Sequence, residues 1–105
     1  MTKFARGLQL EVTDRTELKS YIKEDVFDPS VHFETWIPDG VPETVVIVEY
    51  YDESDPYYKC LDKHVNGEVS EHYWSESLIE SLLETDLLEN TNEYDVEFVK
   101  SKLNQ

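Results

Sequence analysis

Glu76, Glu80 and Glu84 recur every four residues opposite a stripe of Leu78, Ile79, Leu82 and Leu83. On a helix this spacing sets successive carboxylates about 6 Å apart along the axis, from a rise of about 1.5 Å per residue. A row of this kind can accept hydrogen bonds from Arg and Lys. Its spacing is on the scale of phosphates along a nucleic-acid strand, which advance about 3.4 Å per nucleotide. The row costs roughly 0.2–0.5 kcal/mol of helix stability per like-charged i, i+4 pair. No Lys or Arg stands between residues 75 and 99 to relieve it. A helix face that is acidic only for solvation is the competing reading.

The second constellation is Glu49 followed by Tyr50-Tyr51-Asp52-Glu53-Ser54-Asp55-Pro56-Tyr57-Tyr58. Tyrosine offers rigid contact area with a polar tip, and aromatics are enriched at the centres of interfaces. Carboxylates beside them can receive arginine in a bidentate fashion. The plainer reading is a strand, turn and strand whose tyrosines pack on the core. Because successive strand residues face opposite ways, one tyrosine of each pair is expected inside and one outside. Glu49, Tyr51, Asp52, Glu53 and Asp55 join Glu76, Glu80 and Glu84 as candidate partner-binding residues.

Other chemistries are less well served. Asp52, Glu53 and Asp55 lack the ligand order and distal Glu of a calcium loop. If Asn66-Gly67 forms a two-residue hairpin loop, Asp62 opposes Glu71, and Cys60, Asp62, His64 and Glu71 share a face. That set lacks the closely spaced Cys and His pairs of structural zinc, so an exposed strand face is favoured and no metal is expected. His32, His64 and His72 fall in expected strands, Ser residues stand in no nucleophile context, and no Gly-rich phosphate loop is present. Neither catalytic residues nor a cofactor are expected.

Charge sets the field in which these groups act. Residues 24–58 hold ten carboxylates (Glu24, Asp25, Asp28, Glu34, Asp39, Glu43, Glu49, Asp52, Glu53 and Asp55) and no Lys or Arg. Residues 75–99 hold eight more, and all nine basic residues lie outside the two blocks. The net charge of −15 projects a negative potential and strains the compact state by self-repulsion. Direct binding of nucleic acid or of anionic membranes is disfavoured, since both need Lys and Arg. Acid that only keeps a protein hydrated in high salt need not be gathered in blocks.

The single cysteine, Cys60, excludes an internal disulfide. Residues 1–6 lack the apolar run of a signal peptide, and the longest apolar run, at 45–48, is far too short to cross a bilayer. A cytoplasmic location is the expectation. Seven Tyr, four Phe and two Trp argue for a packed core over disorder.

The elements that must position these groups follow from periodicity and punctuation. Residues 7–12 alternate as a strand. Asp14-Arg15-Thr16-Glu17 has capping-box spacing, with Thr13 or Asp14 as cap and Leu18, Tyr21 and Ile22 on one face. Residues 31–37 read as a strand ended by Pro38-Asp39-Gly40. Residues 44–51, β-branched and apolar on both faces, read as a central strand. Residues 57–65 and 68–74 form a hairpin about Asn66-Gly67. Ser75 opens the acidic helix, Thr85-Asp86 breaks it, and Leu87 and Leu88 continue the apolar material. After Asn90-Thr91-Asn92, a last helix ends with Lys100 and Lys102, which suit its C-terminus. The expected order is β-α-β-β-β-β-α-α. It describes one α+β domain over residues 1–105, with an antiparallel sheet of about 4–5 strands, an N-terminal helix and one or two C-terminal helices.

The function expected from the sequence is binding. The partner would be a basic nucleic-acid-binding protein or nuclease, inhibited by imitation of the charge of DNA. Counter-defence proteins of phages and mobile elements, of the anti-restriction and anti-CRISPR type, resemble this chain in charge and size. An immunity protein or antitoxin that caps a cationic nuclease toxin is the alternative. A structural or adaptor domain with merely solubilising acid is a third.

Overall fold

A computed structural model describes residues 4–24 and 41–103, with side chains at 4–20 and 41–102. The expected strand at 31–37, and the acidic residues Asp25, Asp28, Glu34 and Asp39, lie outside the described residues.

Strands β1 (Leu8–Val12), β2 (Thr44–Tyr51), β3 (Tyr57–Lys63), β4 (Val69–Ser75) and β5 (Leu88–Tyr94) form one antiparallel sheet in the order β4-β3-β2-β1-β5. Helix α1 (Arg15–Glu24) follows β1, α2 (Glu76–Glu84) follows β4, and α3 (Val96–Leu103) follows β5. β2 holds the central place its two apolar faces call for. The fold is α+β.

Alternation divides the sheet into two packed faces. On the first, Leu8, Leu10, Val45, Ile47, Tyr58, Cys60 and Trp74 form a core with Leu18 of α1 and with Ile79 and Leu82 of α2. On the second, Val46, Val48 and Leu61 pack with Phe98 and Val99 of α3. Each fully buried Leu or Ile contributes about 1.5–3 kcal/mol. The β2–β3 register shifts between Ile47 and Glu49. This irregularity returns Tyr50 to the first face beside Ile47, so that Tyr50 packs against the main core.

Local signals set the helix ends. Glu17 N donates to Asp14 Oδ1 at 3.0 Å, so Asp14 caps α1. Leu78 N donates to Ser75 Oγ at 3.1 Å and caps α2. At the other end of α2, Asp86 N donates to Leu83 O at 3.3 Å and Leu87 N donates to Leu82 O at 2.9 Å. With φ of 62° at Asp86, this is a Schellman ending in which Asp takes the place usual for Gly. Phe98 N donates to Asp95 Oδ1 at 3.0 Å at the start of α3. Lys100 and Lys102 fall in its last turn, as expected.

Two expectations fail. Between Leu88 and Tyr94 the chain is a strand separating two helices, and the described order ends β-α-β-α. Thr13 N donates to Leu87 O, and Val12 pairs with Leu88. Across β1 residues Leu8 to Leu10, the partner on β5 moves from Tyr94 to Asn90, so β5 bulges at Asn90-Thr91-Asn92. Asn90 Oδ1 accepts from Asn92 N at 2.9 Å, and Asn92 has φ of 59°. Turn chemistry inside the strand disguises it.

The β3–β4 hairpin is also one residue off the expected register. Lys63 pairs with Val69, His64 N donates to Glu68 O at 2.8 Å, and Gly67 N donates to His64 O at 3.0 Å. A type I′ turn needs positive φ at both central residues, but in this loop only Gly67 has it, at 91°. The loop is Val65-Asn66-Gly67, with Asn66 Oδ1 holding Glu68 N at 3.0 Å. A shift of one residue exchanges the faces of a strand. Asp62 therefore pairs with Ser70, and Glu71 with Leu61. Cys60 and Asp62 lie on one face and Glu71 on the other, so the four-residue set considered for zinc does not assemble.

Candidate partner-binding surface

Helix α2 begins where β2 and β3 meet and runs back under the first face to the start of β5. Glu76 N donates to Pro56 O at 2.9 Å, which holds its N-terminus against the acidic β2–β3 loop. Its three glutamates are not equivalent. Each four-residue step turns about 40° around the helix, so the row winds away from the sheet. Glu76 flanks the core, half-buried, and its Oε2 accepts from the buried Tyr58 hydroxyl at 2.8 Å. Glu80 is half-buried, and Glu84 is exposed. The row expected from the sequence thus divides: Glu76 accepts a bond within the fold and Glu84 faces solvent. Glu84 stands in the last turn, where the helix dipole disfavours acid, and that turn has no basic residue.

Asp52, Glu53 and Asp55 are all exposed in the loop joining β2 to β3. Tyr50 reaches from the first face toward Asp52 Oδ1, at 3.4 Å, and its ring lies 5.1 Å from that of Tyr58. Partial burial, followed by the charges of Asp52 and Glu76, raises the Tyr50 pKa above its ordinary value. Asp52 and Glu76 thus meet around one pair of tyrosines.

Glu49 and Tyr51 lie on the opposite face from α2. The Tyr51 hydroxyl donates to Glu49 Oε2 at 3.1 Å, and this bond, ahead of partial burial, raises the Tyr51 pKa. Tyr51 stacks on its cross-strand partner Tyr57 at 4.8 Å and 11°. Tyr73 stands edge-on to both, at 6.0 and 5.6 Å. Tyr57 and Tyr58 divide between faces as alternation requires, and so do Tyr50 and Tyr51. The eight expected residues therefore split. The loop carboxylates and Glu76 share one end of the molecule, Glu49 and Tyr51 line the second face there, and Glu80 and Glu84 lead away under the first.

Tyr73 and Glu71 were missed as members of this surface. In the observed register Tyr73 pairs with Lys59, and the Lys59 ammonium lies 3.3 Å from Glu71 Oε1. That hydrogen bond and the charge of Glu71 raise the Lys59 pKa. A hairpin loop longer by one residue would have placed both correctly.

On the first face, Asp62 is fully buried. Its Oδ2 lies 2.9 Å from His72 Nδ1 and its Oδ1 accepts from Trp74 Nε1 at 3.1 Å. A carboxylate only accepts, so in this pairing His72 carries its hydrogen on Nδ1. His64 Nε2 lies 2.6 Å from Ser70 Oγ. Burial, then the charge of Asp62, pushes the Cys60 thiol well above its ordinary pKa. A thiol held protonated is neither a nucleophile nor a ready metal ligand. Among the described residues, no group of three or more His, Cys, Asp and Glu is placed to hold a metal ion. No helix among them is long and apolar enough to cross a membrane.

Comparison with protein-family models, curated proteins and solved structures finds no match to this chain.

Proposed function

We propose that this chain is a small acidic inhibitor that occupies the Lys/Arg-lined groove of a basic nucleic-acid-binding protein by imitating the charge of nucleic acid. The observation that carries this reading is the β2–β3 loop. Asp52, Glu53 and Asp55 are exposed together there, on a turn anchored to α2 through Pro56 and backed by packed tyrosines. Acid that served solvation alone would have no reason to be braced in this way. A turn whose backbone is held in this way loses less entropy when Lys and Arg close on its carboxylates. Glu84, exposed in a turn that disfavours it, extends the negative field along α2.

Binding of this kind is steered by long-range charge, so its association rate falls as salt rises. The test is to immobilise the full chain, pass the native host's lysate over it at low salt, and elute in parallel with a salt gradient and with duplex DNA or RNA. The reading requires that a basic protein is retained and that nucleic acid displaces it. A retained protein that nucleic acid leaves in place would overturn it, and so would the retention of no basic protein.

A further inference from the structure

The tyrosine end of the second face has a chemistry that charge imitation alone does not use. Tyr51, Tyr57 and Tyr73 hold one another by stacking and edge contacts, and Tyr73 remains 38% exposed. Rings already fixed by their neighbours lose little freedom on binding, and Tyr73 offers the exposed aromatic surface of the cluster. The surrounding charges select what can settle there. Glu49 and Glu71 share the face, and Asp52, Glu53 and Asp55 border it. Among the described residues, the cation within this cluster is Lys59, which stands cross-strand from both Glu49 and Tyr73 and is paired with Glu71 at 3.3 Å. A second copy of this chain would bring the same acids against themselves, at a net charge of −15 each. The complementary occupant is a basic protein segment.

Between the two basic side chains the geometry is selective. A guanidinium is planar, weakly hydrated and able to stack on an aromatic ring while its N–H groups reach carboxylates; an ammonium is a compact, strongly hydrated point charge. We infer that this face docks an arginine-presenting segment of the partner, with the guanidinium lying against the Tyr51–Tyr57–Tyr73 cluster and its N–H groups donated to Glu49 and the loop carboxylates. The inference rests on the basic partner proposed above and adds which residue that partner inserts.

Two short basic peptides, identical except that every Arg in one is Lys in the other, separate the possibilities. Each is titrated into the full chain by calorimetry at about 0.15 M salt, where the screening length is about 8 Å. The arginine peptide is expected to bind about five- to tenfold more tightly. Tyr73→Leu should bring the two affinities together, and Tyr73→Phe, which keeps the ring, should preserve the difference. Thermal melts of both variants verify that they fold. Equal affinity of the two peptides for the unmodified chain would overturn the inference, and that comparison needs no variant. A preference retained in a folded Tyr73→Leu protein would overturn it too. Equal affinities would leave nucleic-acid mimicry standing, and a captured partner that nucleic acid fails to displace would leave the arginine site standing.

Discussion

The buried hydroxyl of Tyr58 donates to Glu76 Oε2 at 2.8 Å, joining the start of β3 to the first turn of α2. Phe4 N donates to the same hydroxyl oxygen at 3.3 Å, so the phenol also ties down the N-terminal approach to β1. A carboxylate that looks like the first member of a binding row is part of the fold's own hydrogen bonding.

Glu76→Ala is therefore expected to reduce stability by about 1.5–3 kcal/mol, the usual range for a hydrogen bond to a charged group. Glu84→Ala should leave the melting temperature unchanged or raise it, because it removes acid from a helix C-terminus. Thermal unfolding of the two variants distinguishes the roles. A Glu76 variant as stable as the parent would show that the Tyr58 bond contributes nothing. Charge reversal meant to probe binding on α2 belongs at Glu84, where loss of binding cannot be mistaken for loss of fold.

Asp62 is the buried acceptor for both His72 and Trp74. Asp62→Ala removes the buried acceptor that His72 and Trp74 share and should cost about 3 kcal/mol or more, a large share of the roughly 5–15 kcal/mol typical of such a domain. Asp62→Asn keeps one acceptor oxygen and should fall between. Urea denaturation midpoints give the order directly; an Ala variant close to the parent would mean that the bonds to Asp62 contribute nothing to stability.

Asp86 adopts φ of 62° to end α2. Glycine takes that conformation without a Cβ penalty, so Asp86→Gly is expected to stabilise by about 0.5–1 kcal/mol. On a domain of this size that corresponds to a rise of a few degrees in melting temperature, readable by circular dichroism. A fall would show that the Asp86 side chain contributes more than the strain it bears.

Cys60 has its pKa raised by burial and by Asp62. Its thiol should resist alkylation in the native protein at pH 8 and react once urea opens the core. The raised folded pKa means that Cys60 favours the folded state fully below the unfolded thiol pKa of about 8.5, and that this contribution is lost as pH climbs toward the folded value. Stability should fall more steeply above pH 8.5 in the parent than in Cys60→Ala. Parallel pH profiles would count against this account.

Much of the fold could be read along the chain. The caps at Asp14 and Ser75, the central place of β2, the acidic helix and the lysine-ended last helix all rest on local patterns of one turn or one strand. β5 could not be read this way. Its Asn90-Thr91-Asn92 bulge carries the residues of a turn, and its pairing with β1 lies some eighty positions away in sequence, as Thr91 Oγ1 donating to Gln9 O at 3.0 Å illustrates. The candidate surface was half legible. Its acids and Tyr51 stood out by type, but Tyr73 and Glu71 depend on a register decided by Val65-Asn66-Gly67.

By itself the sequence determined the charge, its division into two blocks, the absence of a disulfide and the amphipathic stripe of α2. These are properties of composition and of neighbours a few residues apart. Tertiary structure alone decided which carboxylates stand together: Glu76 turned to Tyr58, the loop acids gathered beside it, and Glu49 moved to the far face. The physical reason is that strand faces alternate with a period of two, so one bulge or one added loop residue reverses which side a group occupies. Those irregularities are settled by pairing across the sheet, which no stretch of chain encodes alone.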